Sequence, residues 1–440
     1  MNFAREIRER VDSVNPDVNV CICTAHAPWN ADGVSVPELV RILAGNNAPL
    51  VRLSGAPYWA MGRTRPYSLI SVFEIARMTA SFVKDNGFEL MSEGDVYPRP
   101  RYTCPASYLE LFDAATRADG GYDGILKYMF DYLAGPDLEM GYLHFHFRNK
   151  PFYQKLCDFF RGGANTGVGI VAYPNTFKNA DLDISKFSVR TLCSHNGTMI
   201  ASCGMPTVYG KDGICNCVFG ESARNMDLSL IKGGMIIDAV AAVILTQRGV
   251  DVGIENFKDF YKTAIPFMST SDRENVSYIK NNNVRMIDAT LSDNAEPVLF
   301  CENKTVAYRY QNKDGQRFFV FTYDGDVSSE SNGMTVSGLL KNPVLHGVLP
   351  SQVEWIAKKP LAAYCVGNPE LYVMCEQDES SLSIALFNTF ADPITQPVIN
   401  LGQSYEKIEC VNCSAILEEN KVTLTSELHA FSMAMLRLSK

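Results

Sequence analysis

Apolar positions along the first 160 or so residues follow two alternating periods. Ala4 to Val14 sets Ile7, Val11 and Val14 at helical spacing, and Asn15-Pro16 ends the run. Val18-Asn-Val-Cys-Ile-Cys-Thr24 reads as a strand, Val36 to Leu43 as a helix and Pro49-Leu-Val-Arg-Leu53 as a second strand. A longer helix is predicted from about Ser68 to Lys84, stopped by Asp85-Asn-Gly87. Phe88, Leu90 and Met91 mark a third strand, followed by a helix from about Pro105 to Ala118. A strand over Asp123 to Asp131 and a polar-aromatic helix from about Tyr142 to Phe160 complete the series. Such alternation predicts parallel strands joined by right-handed crossovers. It gives four β/α units, whereas a closed barrel of this kind needs eight strands and about 250 residues. The expectation is therefore an α/β chain that opens with a partial (β/α) barrel, its second half, over residues 1–162.

From Thr166 the pattern restarts. Val168-Gly-Ile-Val-Ala-Tyr173 predicts a strand, Pro206-Thr-Val-Tyr209 a turn region, and Gly233 to Arg248 an apolar helix capped by Gly249. Glu296 to Cys301, Val306 to Tyr310 and Arg317 to Tyr323 read as strands, the last two flanking the hairpin signal Asn312-Lys-Asp-Gly315. These predict a second α/β domain over 163–359. Short alternating strands without a helix follow (Glu370 to Cys375, Leu382 to Asn388, Ile408 to Val411, Lys421 to Leu424, Phe431 to Leu438), predicting a small β-sandwich over 360–440.

The stretch Phe88-Glu-Leu-Met-Ser-Glu-Gly-Asp-Val-Tyr-Pro-Arg-Pro-Arg-Tyr102 concentrates chemistry. Glu93 and Asp95 stand where the third strand ends, and Pro98 and Pro100 stiffen a loop carrying Arg99, Arg101 and Tyr102. A carboxylate at the carboxyl end of a parallel strand, beside a rigid loop of arginines and aromatics, is how a (β/α) barrel builds its active-site rim. The plainer reading is a surface loop whose carboxylates pair with its own arginines.

Charge narrows the function classes. A net charge of −9 without any Lys/Arg run argues against a nucleic-acid surface. No apolar stretch reaches the roughly 18–20 residues of a membrane helix. The charged start Met1-Asn-Phe-Ala-Arg-Glu-Ile-Arg-Glu-Arg10 lacks an apolar signal core, so a cytoplasmic protein is expected. Thirteen cysteines, an odd count, then favour reduced thiols. Cys21/Cys23, Cys215/Cys217 and Cys410/Cys413 show no zinc-ribbon spacing, and neither metal nor cofactor is expected. His144 and His146 would share one face of a strand but not of a helix, and packed or solvated histidines are the expectation.

Three regions carry a family resemblance. Arg5-Glu-Ile-Arg8 with Val14-Asn-Pro-Asp17, Leu90-Met-Ser-Glu-Gly-Asp-Val-Tyr-Pro98 and Gly124-Ile-Leu-Lys-Tyr-Met-Phe-Asp131 resemble the carboxyl half of a clan A glycoside hydrolase barrel, as in family 42 β-galactosidases. Gly204-Met-Pro-Thr-Val-Tyr-Gly210, Gly234-Met-Ile-Ile-Asp-Ala-Val-Ala-Ala242 and Arg248-Gly-Val-Asp-Val252 resemble the flavodoxin-like, amidotransferase-like domain that follows it there. In the enzymes it resembles, that domain contributes to oligomerisation rather than chemistry. A working glutaminase would need a cysteine on a strand-to-helix elbow. The nearest candidate, Ser202-Cys203-Gly204, is followed by Pro206, which disfavours a helix there. Ser383-Ile-Ala-Leu-Phe-Asn388 with Asp392-Pro393 resembles the closing β-sandwich.

The resemblance implies retaining hydrolysis by two carboxyls about 5–5.5 Å apart. In that clan they follow barrel strands seven and four. Counting back from the last barrel strand, Glu93 falls after strand seven and is the implied nucleophile; Asp95 is a lesser candidate. The acid/base would follow strand four, ahead of this chain's strands. Glu6 and Glu9 lie on the opening helix, which covers a barrel's outside, so neither stands in for it. A carbohydrate substrate would meet a rim of Trp29, Tyr58, Trp59, Tyr97 and Tyr102 for stacking. Asn30, Asp32, Arg52, Asp95, Arg99, Arg101 and Asp131 would bind its hydroxyls, although aromatics near strand ends are often core residues. Four strands alone would leave two open sheet edges and an apolar face, so an oligomer or a partner chain completing the barrel is expected. The competing expectation is a non-catalytic carbohydrate-binding or assembly subunit.

Overall fold

The computed structural model describes residues 1–24, 34–53, 69–96, 104–129, 141–163, 165–175, 196–210, 212–272, 276–278, 283–324 and 343–440. The chain divides into two compact units, Met1–Ala164 and Asn165–Lys440.

The first unit runs α1 (Asn2–Val14), β1 (Ile22–Thr24), α2 (Val36–Ala44), β2 (Leu50–Leu53), α3 (Leu69–Ser81), β3 (Glu89–Gly94), α4 (Ala106–Asp119), β4 (Gly124–Lys127) and α5 (Gly141–Phe159). The four strands form one parallel sheet in the order β1-β2-β3-β4. Helix α2 shows how the sequence sets its own ends. The Ser35 hydroxyl accepts from the Glu38 amide (3.4 Å), a proline sits in the first turn, and Gly45 takes φ +61 after the last turn. It buries Val36 and Val40 in one cluster with Val51, Leu53 and Leu90. Helix α1 departs from the predicted apolar stripe. Val14 is 87% exposed, and the buried positions are Ala4 and Arg8. Arg8 donates to the carbonyls of Val18 (2.8 Å) and Leu43 (3.1 Å) and pairs with Asp12, tying the helix to its neighbours with its whole length.

The second unit continues with β5 (Val168–Ile170), α6 (Asn196–Ser202), β6 (Thr207–Tyr209), β7 (Asn216–Val218), α7 (Ser222–Asn225), β8 (Gly234–Ile237) and α8 (Ala239–Gln247). Then come β9 (Ile254–Ala264), β10 (Phe267–Ser269), β11 (Val276–Tyr278), β12 (Asn283–Leu291), β13 (Glu296–Cys301), β14 (Lys304–Gln311) and β15 (Arg317–Phe321). Nine of these strands make a mixed sheet, β11-β10-β13-β14-β15-β8-β7-β5-β6, parallel from β15 to β6 and antiparallel beyond.

Two predicted elements change here. The expected turn at Pro206–Tyr209 is the edge strand β6. The expected helix from Gly233 splits into β8 and α8, because a short apolar run has no period that separates strand from helix. Asp238 marks the division. Its carboxylate accepts from the amides of Ala241 (2.8 Å) and Gly220 (2.9 Å), capping α8 and bridging from β8 to the loop after β7. The predicted hairpin at Asn312–Gly315 joins β14 to β15, with Gly315 at φ +77. The antiparallel ribbon of β9 and β12 was not predicted: a bulge near Asp288 breaks its alternation.

A helix Pro343–Ala357 precedes the last eight strands: β16 (Ala363–Cys365), β17 (Leu371–Gln377), β18 (Ser381–Asn388), β19 (Val398–Leu401), β20 (Lys407–Val411), β21 (Ala415–Glu418), β22 (Lys421–Leu424) and β23 (Met433–Ser439). They form two antiparallel sheets, β16-β19-β22-β21 and β17-β18-β23-β20, enclosing one core of Cys365, Ile399, Val422, Val373, Ile384 and Leu436. No helix among the described residues is long and apolar enough to cross a membrane.

Gly204 sits at φ +74 after α6, where a Cβ would lie 1.5 Å from the Cys365 carbonyl oxygen. Gly204→Ala is expected to destabilise the fold by about 3 kcal/mol or more, read as a lowered urea midpoint at unchanged slope. His346 is buried, its Nδ1 accepting from the Gly367 amide (3.3 Å), and burial holds its imidazole down at about 4. Unfolding restores the ordinary value of 6.5, so the unfolded chain binds a proton that the folded chain refuses. The His346 contribution is therefore intact above pH 6.5 and declines as pH falls towards 4. Unfolding free energies of wild type and His346→Gln should converge over that window; a pH-independent gap would contradict the assignment.

Candidate functional site

The site follows from the register of the first sheet. Cys23 pairs with Arg52, Arg52 with Met91, and Glu93 with Leu126. Paired positions in neighbouring strands, and alternate positions along one strand, share a face. Cys23, Arg52, Met91, Glu93 and Leu126 therefore lie on one face, while Val51, Leu53 and Leu90 point to the helices. On the first face Leu126 is 50% exposed.

Glu93 lies at the carboxyl end of β3 and is buried. Its Oε1 accepts from Arg52 Nη2 at 2.8 Å, a charge-assisted bond reaching across from β2. The guanidinium is partly exposed, yet its Nε is buried without a hydrogen-bond partner. The site thus joins a fixed carboxylate to an N–H donor with hydrogen-bonding capacity left over. Asp95, two residues on, is half-buried and accepts from the Val96 amide (2.8 Å).

Arg52 was expected to bind substrate; the structure makes it the described partner of Glu93. The predicted site residues Trp29, Asn30, Asp32, Tyr58, Trp59, Tyr97, Arg99, Arg101, Tyr102 and Asp131 lie outside the described residues. So does any pairing of Glu93 with Arg99 or Arg101.

A second constellation lies on the helix side of the sheet and was not predicted. Lys127 on β4 buries its ammonium between Glu110 (2.5 Å) and Asp113 (2.8 Å) of α4. Tyr153 of α5 donates to Glu110 (2.5 Å), Asn149 donates to the same carboxylate (3.0 Å), and Arg117 binds Asp113 (2.6 Å). His146 Nδ1 is 3.1 Å from the ammonium, and its imidazole is held below its ordinary value by burial and then by Lys127. Burial, reinforced by Asp113 and Glu110, pushes the Tyr153 phenol far up. Each charge here has a partner and the lysine is almost wholly enclosed, which marks a structural network rather than a substrate site. Its signal in the sequence was a lysine ending the strand Gly124-Ile-Leu-Lys127, with Glu110, Asp113 and Arg117 at helical spacing upstream. His144 is exposed, whereas His146 packs on Tyr153, so the two histidines do not act together. Among the described residues no group of three side chains is placed to hold a metal.

No family model matches the chain, and no curated protein matches it in sequence. Solved structures do match in fold. An α-L-fucosidase isoenzyme 2 from Paenibacillus thiaminolyticus superposes with a TM-score of 0.58 at 11% identity, covering 100% of this chain and 70% of its own. A β-galactosidase from Rahnella sp. gives 0.53 at 12%, covering 100% and 66%. A catalytic mutant of a glycoside hydrolase family 42 β-galactosidase from G. stearothermophilus gives 0.54 at 9%, covering 98% and 65%. The chain therefore spans about two thirds of each. The mixed α/β fold with parallel sheets is shared with these glycosidases. A fucosidase and β-galactosidases fit about equally well, so the likeness reaches the fold and no single family.

Lys127→Met would leave the Glu110 and Asp113 carboxylates buried around an apolar side chain. A loss of about 3–5 kcal/mol is expected, read by urea unfolding. A variant as stable as wild type would show that the enclosed charges are compensated elsewhere.

Proposed function

We propose that the chain is the glycosidase-like component of a retaining glycoside hydrolase acting on a carbohydrate, β-galactosidase-like, with Glu93 as nucleophile. One observation carries this reading: Glu93 is buried at the carboxyl end of a parallel strand, on the face turned away from the helices, and Arg52 fixes it at 2.8 Å. That is where a (β/α) enzyme keeps its reacting groups. Arg52 Nε, buried and unpartnered, would donate to a substrate hydroxyl beside Glu93.

On this reading residues 1–162 are four units of a barrel. Four further units, from a preceding segment of the same polypeptide or from another chain, would cover the open face and bring the acid/base. The open edges support it: among the described residues β1 pairs only with β2 and β4 only with β3. Phe3 (74%), Val14 (87%), Leu126 (50%) and Phe147 (59%) also expose apolar surface on this small unit. Residues 163–359 would be the amidotransferase-like domain and 360–440 the closing sandwich.

The alternative, a carbohydrate-binding or assembly subunit without chemistry, draws on the same face. Glu93→Gln in the completed protein separates the two. Aryl-glycoside turnover should fall by about three orders of magnitude or more while calorimetric sugar binding is kept. Turnover left unchanged would remove Glu93 from the nucleophile role, and lost sugar binding without any turnover in wild type would favour the binding subunit.

A further inference from the structure

Cys410-Val-Asn-Cys413 belongs to no group of three metal-ligating side chains among the described residues. Its place in the fold points to different chemistry. Strand β20 ends at Val411, the chain turns through Asn412 at φ +59, and β21 begins at Ala415. β20 belongs to one sheet of the sandwich and β21 to the other, so these four residues form a corner where the chain changes sheets. The corner is anchored. Asn412 Nδ2 donates to the Met433 carbonyl (3.4 Å), the Cys413 thiol lies 3.8 Å from the Met435 carbonyl, and the Ser414 amide donates to the Ser426 hydroxyl (2.9 Å). Cys410 is held in register opposite Leu436. Within this corner both thiols are half-buried and pack against the core that the two sheets enclose. Most of the other described cysteines, such as Cys203, Cys217 and Cys375, are sealed in the core.

We propose that Cys410 and Cys413 form a dithiol–disulfide pair whose oxidation covalently ties the corner between the two sheets. The co-reactant is a small disulfide. The Cys410 thiolate attacks one of its sulfurs and expels one small thiolate, leaving a mixed disulfide. The Cys413 thiolate then attacks the Cys410 sulfur, closing the protein disulfide and expelling the second small thiolate. The two protons shed by the protein thiols end on the two small thiols, so one dithiol is oxidised and one disulfide reduced. Burial raises both thiols, Cys413 to about 12, so thiolate is scarce and closure is slow near neutral pH. The reduced form gains nothing from a stabilised thiolate, so the bridge, once made, resists reduction.

The chain would be equilibrated in glutathione buffers of increasing oxidised fraction, at neutral and mildly alkaline pH, then acid-quenched, alkylated, digested and weighed. The peptide holding Cys410 and Cys413 should lose two hydrogens and escape alkylation, closing about tenfold faster per pH unit. Cys413→Ser should instead retain one glutathione on Cys410. Wild-type protein that keeps both thiols alkylatable under oxidising buffer would overturn the proposal, as would one that stops at a mixed disulfide. The wild-type measurement decides alone, so an unfolded variant would not spare it.

Discussion

When parallel strands follow one another in spatial order, right-handed crossovers place every connecting helix on the same side of the sheet. The order β1-β2-β3-β4 imposes this on the first unit. Val51, Leu53 and Leu90 go under α2 and α3, while Arg52, Glu93 and Leu126 alternate to the opposite face. A strand offers no intermediate choice, since side chains alternate strictly. A slip of one residue in β3 would turn Glu93 into the helix layer and Ser92 onto the open face. The apolar pattern that seats Leu90 is thus also what presents Glu93 beside Arg52.

Charge is handled differently on the two faces. Under the helices two described cations are enclosed by carboxylates: Lys127 by Glu110 and Asp113, and Arg77 by Asp119 (2.7 Å) and Glu74 (3.2 Å). Such groups add little net stability when complete, yet losing one partner costs several kcal/mol, so they fix how α3, α4 and β4 sit together. On the open face Arg52 spends one Nη on Glu93 and keeps a buried Nε in reserve. A buried donor left over calls for an explanation, and the proposed substrate hydroxyl beside Glu93 would supply one.

The strand–helix order of the first unit was legible because its helices are long and its breakers sharp: Asn15-Pro16, Gly45, Gly87 and Gly120 all stand at element ends. Glu93 could be placed from sequence because it directly follows an apolar strand run. Its partner could not be identified that way. Arg52 reaches it only through the parallel pairing of β2 with β3, a contact between positions 41 apart that no local pattern encodes. The Lys127 network was hidden for the same reason, being assembled from α4, β4 and α5. In the second unit the misread stretch Gly234–Ile237 had strand and helix apolar side by side, and only Asp238 separated them.

A fold shared at 9–12% identity with enzymes that act on different sugars leaves the choice of chemistry to local groups. Near the strand ends the described residues offer the Glu93 carboxylate, fixed by Arg52, and Asp95 two residues on. Glu89 shares the face of Glu93 by alternation, but it opens β3 and stands at the opposite end of the sheet. Retaining hydrolysis needs a second carboxyl about 5–5.5 Å from the first. On the proposed reading, the strands that would cover the exposed Leu126 are the ones whose ends would face Glu93, so closing the sheet and completing the catalytic pair would be one structural requirement.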